Sequence, residues 1–221
     1  MADTTTLERT RIVPAREAHI PFVAWVELAA ARSHLPRGTW DFYVGGPQEE
    51  CLRYLEALSA TEARHFAHYT NFLVAEVDGQ PAAALSGYFE AEDGMGALAI
   101  GMEEANTKLG RSSDEHTAGW QRAGAIALCM PEHPERAWIV EWVATKREFR
   151  RRGLVDALMA EILERGRQRG ASIADIGVYI ENDPAQRAYE KAGFEVVGEK
   201  RHPEFQAVYG SPGIRFLRRS I

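Results

Sequence analysis

Lys146, Arg147, Arg150, Arg151 and Arg152 crowd one short stretch, and Gly153 follows them directly. Beyond it Leu154, Leu158 and Ile162, with Val155, Met159 and Leu163 one residue behind, fall at helical spacing, so the cations gather at a helix N-terminus. Positive charge there opposes the helix dipole, and as pure structure the arrangement is mildly unfavourable. An anion reverses that sign. The first turn of a helix offers unpaired backbone N–H groups, and a glycine beside it lets a phosphate approach the backbone closely. A solvated basic loop is the alternative, since short basic runs are common. Upstream, residues 137–144 are apolar except for Glu141, the pattern of a strand buried on both faces. Burial raises the pKa of such a carboxylate toward the range of a general base; an arginine partner would instead make it a structural ion pair.

The elements that position these groups follow in order. Gly170 ends the helix after a last turn carrying Arg165, Arg167 and Arg169. Residues 172–180 read as a second buried strand, parallel to the first because a helix crosses between them. Residues 182–194 read NDPAQRAYEKAGF: Asn182 or Asp183 can cap a helix, Pro184 suits its first turn, and Gly193 ends it.

Taken together, these segments resemble the GCN5-related N-acetyltransferase (GNAT) superfamily. Its signature is a strand, a turn of the form Q/R-x-x-G-x-G/A, a helix, a strand, and a segment like NxxAxxxYxxxGF. The first motif is met by Arg150, Arg151, Arg152, Gly153, Leu154 and Val155, and the second by Asn182, Ala185, Tyr189, Gly193 and Phe194. The resemblance covers residues 137–200, with looser similarity elsewhere. It departs at Val155, where the family has Gly or Ala, and Asp156 beside it suits the helix dipole but is a poor neighbour for phosphate.

The resemblance implies an α/β (α+β) GNAT fold: a mixed, mostly antiparallel central sheet of six to seven strands with a central βαβ unit and helices on both faces. It also implies acetyl-CoA as co-substrate, lying where the two central strands diverge. The pyrophosphate would meet backbone N–H groups from Arg151 to Val155, with Arg150, Arg151 and Arg152 adding charge. The pantetheine arm would pair with Val143, Ala144 and Thr145, Asn182 would join the cofactor contacts, and the Val143 N–H would polarise the thioester carbonyl. Tyr189 is the implied general acid, protonating or hydrogen-bonding the leaving thiolate; a buried helix tyrosine with its OH tied up elsewhere is the alternative. An amine acceptor must lose a proton before attack, and Glu141 is the candidate base, two residues before Val143 and so on the same side of a regular strand. A water chain is the other route.

The rest of the chain fits one domain, residues 1–221, with a frayed tail over 1–8. A short strand is expected near 11–14, helices over 18–34 and after Pro47, and between them a loop holding Trp40, Asp41, Phe42 and Tyr43, which the resemblance places near the acceptor; core packing is the expectation for at least two of its three aromatics. Residues 71–77 and 82–89 form a hairpin about Asp78-Gly79. A helical insertion over 91–136 then departs most from the family pattern, and inserted segments of this length tend to be lids or binding loops. Its carboxylates, Glu103, Glu104, Asp114 and Glu115, could attract a cationic amine or form a solvated helix face. The sheet finishes with residues 194–199 and 214–218, joined by a turn-rich loop, FQAVYGSPG.

The net charge of −6 argues against a nucleic-acid partner, because the arginine cluster is then local. Cys51 and Cys129, far apart, suit a reducing cytosol; no signal peptide or membrane span is read, so the expected location is cytoplasmic. No metal set is evident: His65 and His68 share one turn, as surface helix histidines do. Three functions stay open: an N-acetyltransferase for small-molecule amines, a protein or peptide N-acetyltransferase, and a CoA-binding regulatory module without turnover. A homodimer is one arrangement left open.

Overall fold

Runs of Val, Ala and aromatic residues suit a pleated, buried surface, and they build one sheet. In the computed structural model, which describes residues 9–221, the strands are β1 (Thr10–Pro14), β2 (Phe72–Val77), β3 (Gln80–Phe89), β4 (Trp138–Thr145), β5 (Ile173–Tyr179), β6 (Glu195–Arg201) and β7 (Gly213–Ser220), in the order β1-β2-β3-β4-β5-β7-β6. The tail expected over residues 1–8 lies outside the described residues. Every neighbouring pair is antiparallel except β4 with β5. The helices are α1 (Ile20–Arg32), α2 (Thr39–Val44), α3 (Gln48–Leu58), α4 (Glu90–Asp93), α5 (Met95–Leu109), α6 (Ser113–Ala123), α7 (Leu154–Gln168), α8 (Asp183–Lys191) and α9 (Pro203–Tyr209). The β2–β3 hairpin turns on Asp78 and Gly79, both at positive φ (50° and 79°), the two-residue geometry that Asp-Gly favours.

The alternation of β2 sorts the two faces. Leu73, Ala75 and Val77 pack with the α7 stripe of Leu154, Leu158, Met159 and Ile162, while Phe72 and Val74 meet Phe22, Val23 and Val26 of α1. Burying side chains such as Leu158 and Ile162, both 0% exposed, contributes about 1.5–3 kcal/mol each. Trp138 of β4 anchors the α7 face in a slot between two glycines. A Cβ at Gly166 would sit 2.6 Å from the indole, and one at Gly87 would also sit 2.6 Å from it. Gly166→Ala is therefore expected to destabilise by about 1–3 kcal/mol through overpacking, although alanine is the better helix former by about 1 kcal/mol. Urea unfolding reads the difference.

Three local expectations are corrected. Residues 39–44 form α2 rather than a loop, because the Asp41 carboxylate accepts the Gly38 N–H (2.8 Å) and both arms of Arg32 (2.9 and 2.7 Å), and Gly45 closes the turn at φ 77°. Trp40 and Tyr43 are buried and belong to the core. The segment FQAVYGSPG is mostly α9: Pro203 opens it, His202 accepts the Glu204 N–H, and Phe205 and Tyr209 are buried together. His65 and His68 are neither superficial nor helical. Both are buried in the connection from α3 to β2, where His65 Nε2 lies 3.0 Å from the Thr61 hydroxyl and burial lowers the His65 pKa to about 4.

The segment 91–136 is helical as expected, supplying α5, α6 and a 3-10 turn, Gly124–Leu128. Its carboxylates include structural caps. Glu115 completes a capping box with Ser112, and Glu104 accepts the Glu62 and Ala63 N–H groups. Among the described residues no helix is long and apolar enough to cross a membrane.

Candidate active site

The parallel pair β4 and β5 holds together over only three positions, Trp138–Ala174, Ile139–Asp175 and Val140–Ile176. Past Val140 no register is shared, and the strands part. The β4–β3 ladder breaks at the same place: Ser86 pairs with Glu141 and Ala84 with Ala144, so β4 carries one extra residue. That bulge is taken up by Trp142, in the left-handed region at φ 54°, a conformation costly for a bulky side chain. No residue of β3 or β5 stands in register opposite Trp142 or Val143.

The bulge also overturns a parity argument. Glu141 and Val143, two apart, would share a side of a regular strand. Instead Val143 packs with Trp138 and Val140 on the α7 face, while Trp142 packs with Ile139 and Tyr88 on the opposite face. Glu141 lies on that opposite face, beside the Tyr88 phenol.

A cavity of about 1490 Å³ opens where the strands part. Residues 141–145 line one side of it, and Ile176, Gly177, Val178 and Tyr179 the other. At one end lies the start of α7. Gly153 caps that helix at φ 76°, and Arg151 before it is also left-handed at φ 64°. The N–H groups of Leu154, Val155 and Asp156 precede the first helical hydrogen bond, from Ala157 to Gly153, and are available to an anion. A Cβ on Gly153 would meet nothing within 4 Å, so the approach is open.

Of the residues singled out from the sequence, Glu141, Val143, Ala144, Thr145, Arg150, Arg151, Gly153, Leu154, Val155, Asn182 and Tyr189 all line this cavity. Arg152 does not: its guanidinium lies 5.2 Å from the Phe149 ring centre and donates to the Glu148 carbonyl. Asp156 is held 2.5 Å from Lys191, which offsets its charge beside the anion site. Asn182 caps α8 by accepting the Ala185 N–H (3.3 Å) and donates to the Ser33 hydroxyl (2.7 Å), tying α8 to the end of α1. Tyr189 is buried, and burial alone pushes its phenol above the ordinary value.

The opposite end is acidic and apolar. Burial raises Glu141 to about 7; His133 and the neighbouring Tyr88 phenol pull it down, and the Glu90 carboxylate adds to the rise. No ion pair holds Glu141 among the described residues. His133 also lines the cavity, its Nδ1 3.0 Å from Asp175 Oδ2. Burial works to raise Asp175, but bonds from Arg218 (2.6 and 2.8 Å) and His133 outweigh it and hold it ionised. Nδ1 therefore carries the proton toward Asp175. Sequence reasoning missed His133, Tyr88, Glu90 and Asp175. Only the diagonal of the β3–β4 pairing brings Tyr88, opposite Ile139, to Glu141, and a long-range contact brings His133 to Asp175.

The comparisons with known proteins agree with this geometry. No curated protein sequence matches the chain. An N-acetyltransferase from Staphylococcus aureus Mu50 shares the fold at 20% identity, covering 95% of this chain and 100% of its own, with a TM-score of 0.66. The ribosomal-protein-S18-alanine N-acetyltransferase from Escherichia coli does so at 14% identity over 96% and 94%, with a TM-score of 0.52. The protein yncA from Salmonella typhimurium, solved with its cofactor acetyl-CoA, does so at 14% identity over 96% and 93%, with a TM-score of 0.50. The profile of the Acetyltransferase (GNAT) family matches residues 35–194, a span that holds the parted strands, the Gly153 turn and Tyr189, and the chain belongs to that family of acetyl-CoA-dependent acetyltransferases.

Proposed function

We propose that the chain is an N-acetyltransferase that moves the acetyl group of acetyl-CoA to the primary amine of a small molecule, by direct attack in a ternary complex. The observation that carries this reading is the meeting, in one cavity, of a helix start open to an anion and a half-buried carboxylate, Glu141, across the gap between β4 and β5. Acetyl-CoA supplies an activated thioester. The N–H groups of Leu154 and Val155, with Arg150 and Arg151, hold its phosphates, and the unpaired edge at Val143, Ala144 and Thr145 holds its arm by strand addition. The Val143 N–H, at the bulge where β4 has left β5, orients and polarises the thioester carbonyl. Glu141 takes the amine proton.

Tyr189 acts as a hydrogen-bond donor to the departing thiolate. Its phenol, raised by burial, holds its proton too tightly to release it readily to a thiolate of ordinary pKa about 8.5. Tyr189→Phe is expected to lower kcat by about 10- to 100-fold, the worth of one hydrogen bond to a charged group, with acetyl-CoA affinity nearly unchanged. Thiol-release kinetics beside calorimetry separate the two, and an unchanged kcat removes Tyr189 from the mechanism.

A small acceptor is favoured over a peptide because Trp120, Ile126 and Met130, from the segment 91–136, line the same cavity as Glu141. A peptide needs a groove open across the strands. Titration calorimetry with acetyl-CoA, followed by thiol release with primary amines, tests the proposal; acetyl-CoA binding without turnover of any amine would favour the regulatory module.

A further inference from the structure

The lysine and arginine lining of the cavity, Arg150, Arg151 and Lys191, gathers at the cofactor end about the start of α7, Lys191 reaching it from the end of α8 to pair with Asp156. Glu90 and Glu141 stand at the other end, close enough that each charge acts on the Tyr88 phenol. The space beside them is walled by rings. Phe66 stacks on Tyr88 (centroids 5.3 Å apart, planes at 25°) and on Trp142 (6.0 Å, 17°), and Trp120, Ile126 and Met130 face the same space from the helical insertion.

We infer that the acceptor is a monoamine with one cationic end and an apolar, ring-sized body, the ammonium lying at Glu90 and Glu141 and the body between the Phe66–Trp142 wall and the insertion. The inference rests on the amine-acetyltransferase reading above and names its substrate class. Two carboxylates at one end fix one ammonium by charge, while a flat apolar body gains from burial against rings that already stack with one another. A second cation, as in a polyamine, would lie against those rings with its hydration shell stripped, since the other carboxylates of the lining, Glu132 and Asp156, are paired with Lys200 and Lys191. The backbone on either side of a peptidyl lysine would bring N–H and C=O groups into the same apolar space without partners.

The test compares kcat/KM, by thiol release at saturating acetyl-CoA, for 2-phenylethylamine, ethylamine, agmatine, spermidine and a lysine-containing peptide. We expect 2-phenylethylamine to exceed each of the others by about 50-fold or more, the discrimination that several buried carbons and one unpaired charge provide. Trp120→Ala should raise KM for 2-phenylethylamine by about 10-fold and leave the acetyl-CoA Kd unchanged, which also shows that the variant folds. Preference for agmatine, spermidine or the peptide overturns this inference and leaves amine acetylation standing. An unmoved KM in Trp120→Ala overturns it as well. A protein that binds acetyl-CoA yet turns over none of these amines overturns the function proposed above, and this inference with it.

Discussion

Replacing Gly153 by glutamate is expected to remove acetyl-CoA binding from the calorimetric range while the protein stays folded. Gly153 sits at φ 76° as the cap of α7, in open space, so a side chain meets no atom but strains the backbone by about 1–2 kcal/mol. The carboxylate then lies where the N–H groups of Leu154, Val155 and Asp156 await an anion. It satisfies those donors itself and repels the phosphates, a like-charge effect of about 4 kcal/mol at 4 Å in a surface environment. The full effect weakens binding by about 1,000-fold and half of it by about 30-fold, while the strain, common to the free and bound protein, lowers stability instead. Gly153→Ala carries the strain without the charge and should lose about 1–2 kcal/mol of stability with the acetyl-CoA Kd nearly unchanged. A Gly153→Glu protein with the parental Kd would place the cofactor elsewhere. Thermal unfolding serves as the control, because a negative charge at a helix N-terminus offsets part of the strain.

The sequence carried the frame of this site and missed its depth. The change from unbroken apolar spacing in residues 137–144 to helical spacing after Gly153 is periodicity, and periodicity marks the central βαβ unit before any contact is known. The order of Asn182, Tyr189 and Gly193 adds the next helix and the phenol. What stayed hidden is of two kinds. Trp142 breaks the period of two, and nothing local announces a left-handed tryptophan inside an apolar strand, so the predicted sharing of one side by Glu141 and Val143 failed. The short helices α2 and α9 depend on Arg32, Gly38 and His202, which hold their ends from outside the apolar pattern. His133 and Asp175 are distant in sequence and meet only because the insertion ends over the mouth of the parted strands.

The second large effect is expected at Glu141. Replacing it by glutamine should lower kcat/KM by about 100- to 1,000-fold, as loss of a positioned base does, and should change the shape of the pH profile. The groups facing Glu141 are Tyr88, His133 and Glu90, and with burial as the largest influence they set its pKa at about 7. A base must be ionised to act, so parental activity rises with pH through about 7 and levels above it. In Glu141→Gln that rise disappears, leaving only the slower gain as free amine accumulates toward its own pKa. Stability moves the other way. A carboxyl whose folded pKa stands above its ordinary 4.5 binds its proton more tightly folded than unfolded, so the contribution of Glu141 to stability is fully present below 4.5 and is lost as pH climbs from there to about 7. Glutamine cannot ionise and escapes that loss. At pH 8 the variant should therefore unfold at the parental temperature or above it, because no ion pair is broken. Melting curves at pH 5 and pH 8, beside the rate profile, decide the point: a variant that loses both fold and activity would make Glu141 a structural carboxylate, whereas one that keeps its fold and loses the rise near pH 7 identifies the group that takes the proton.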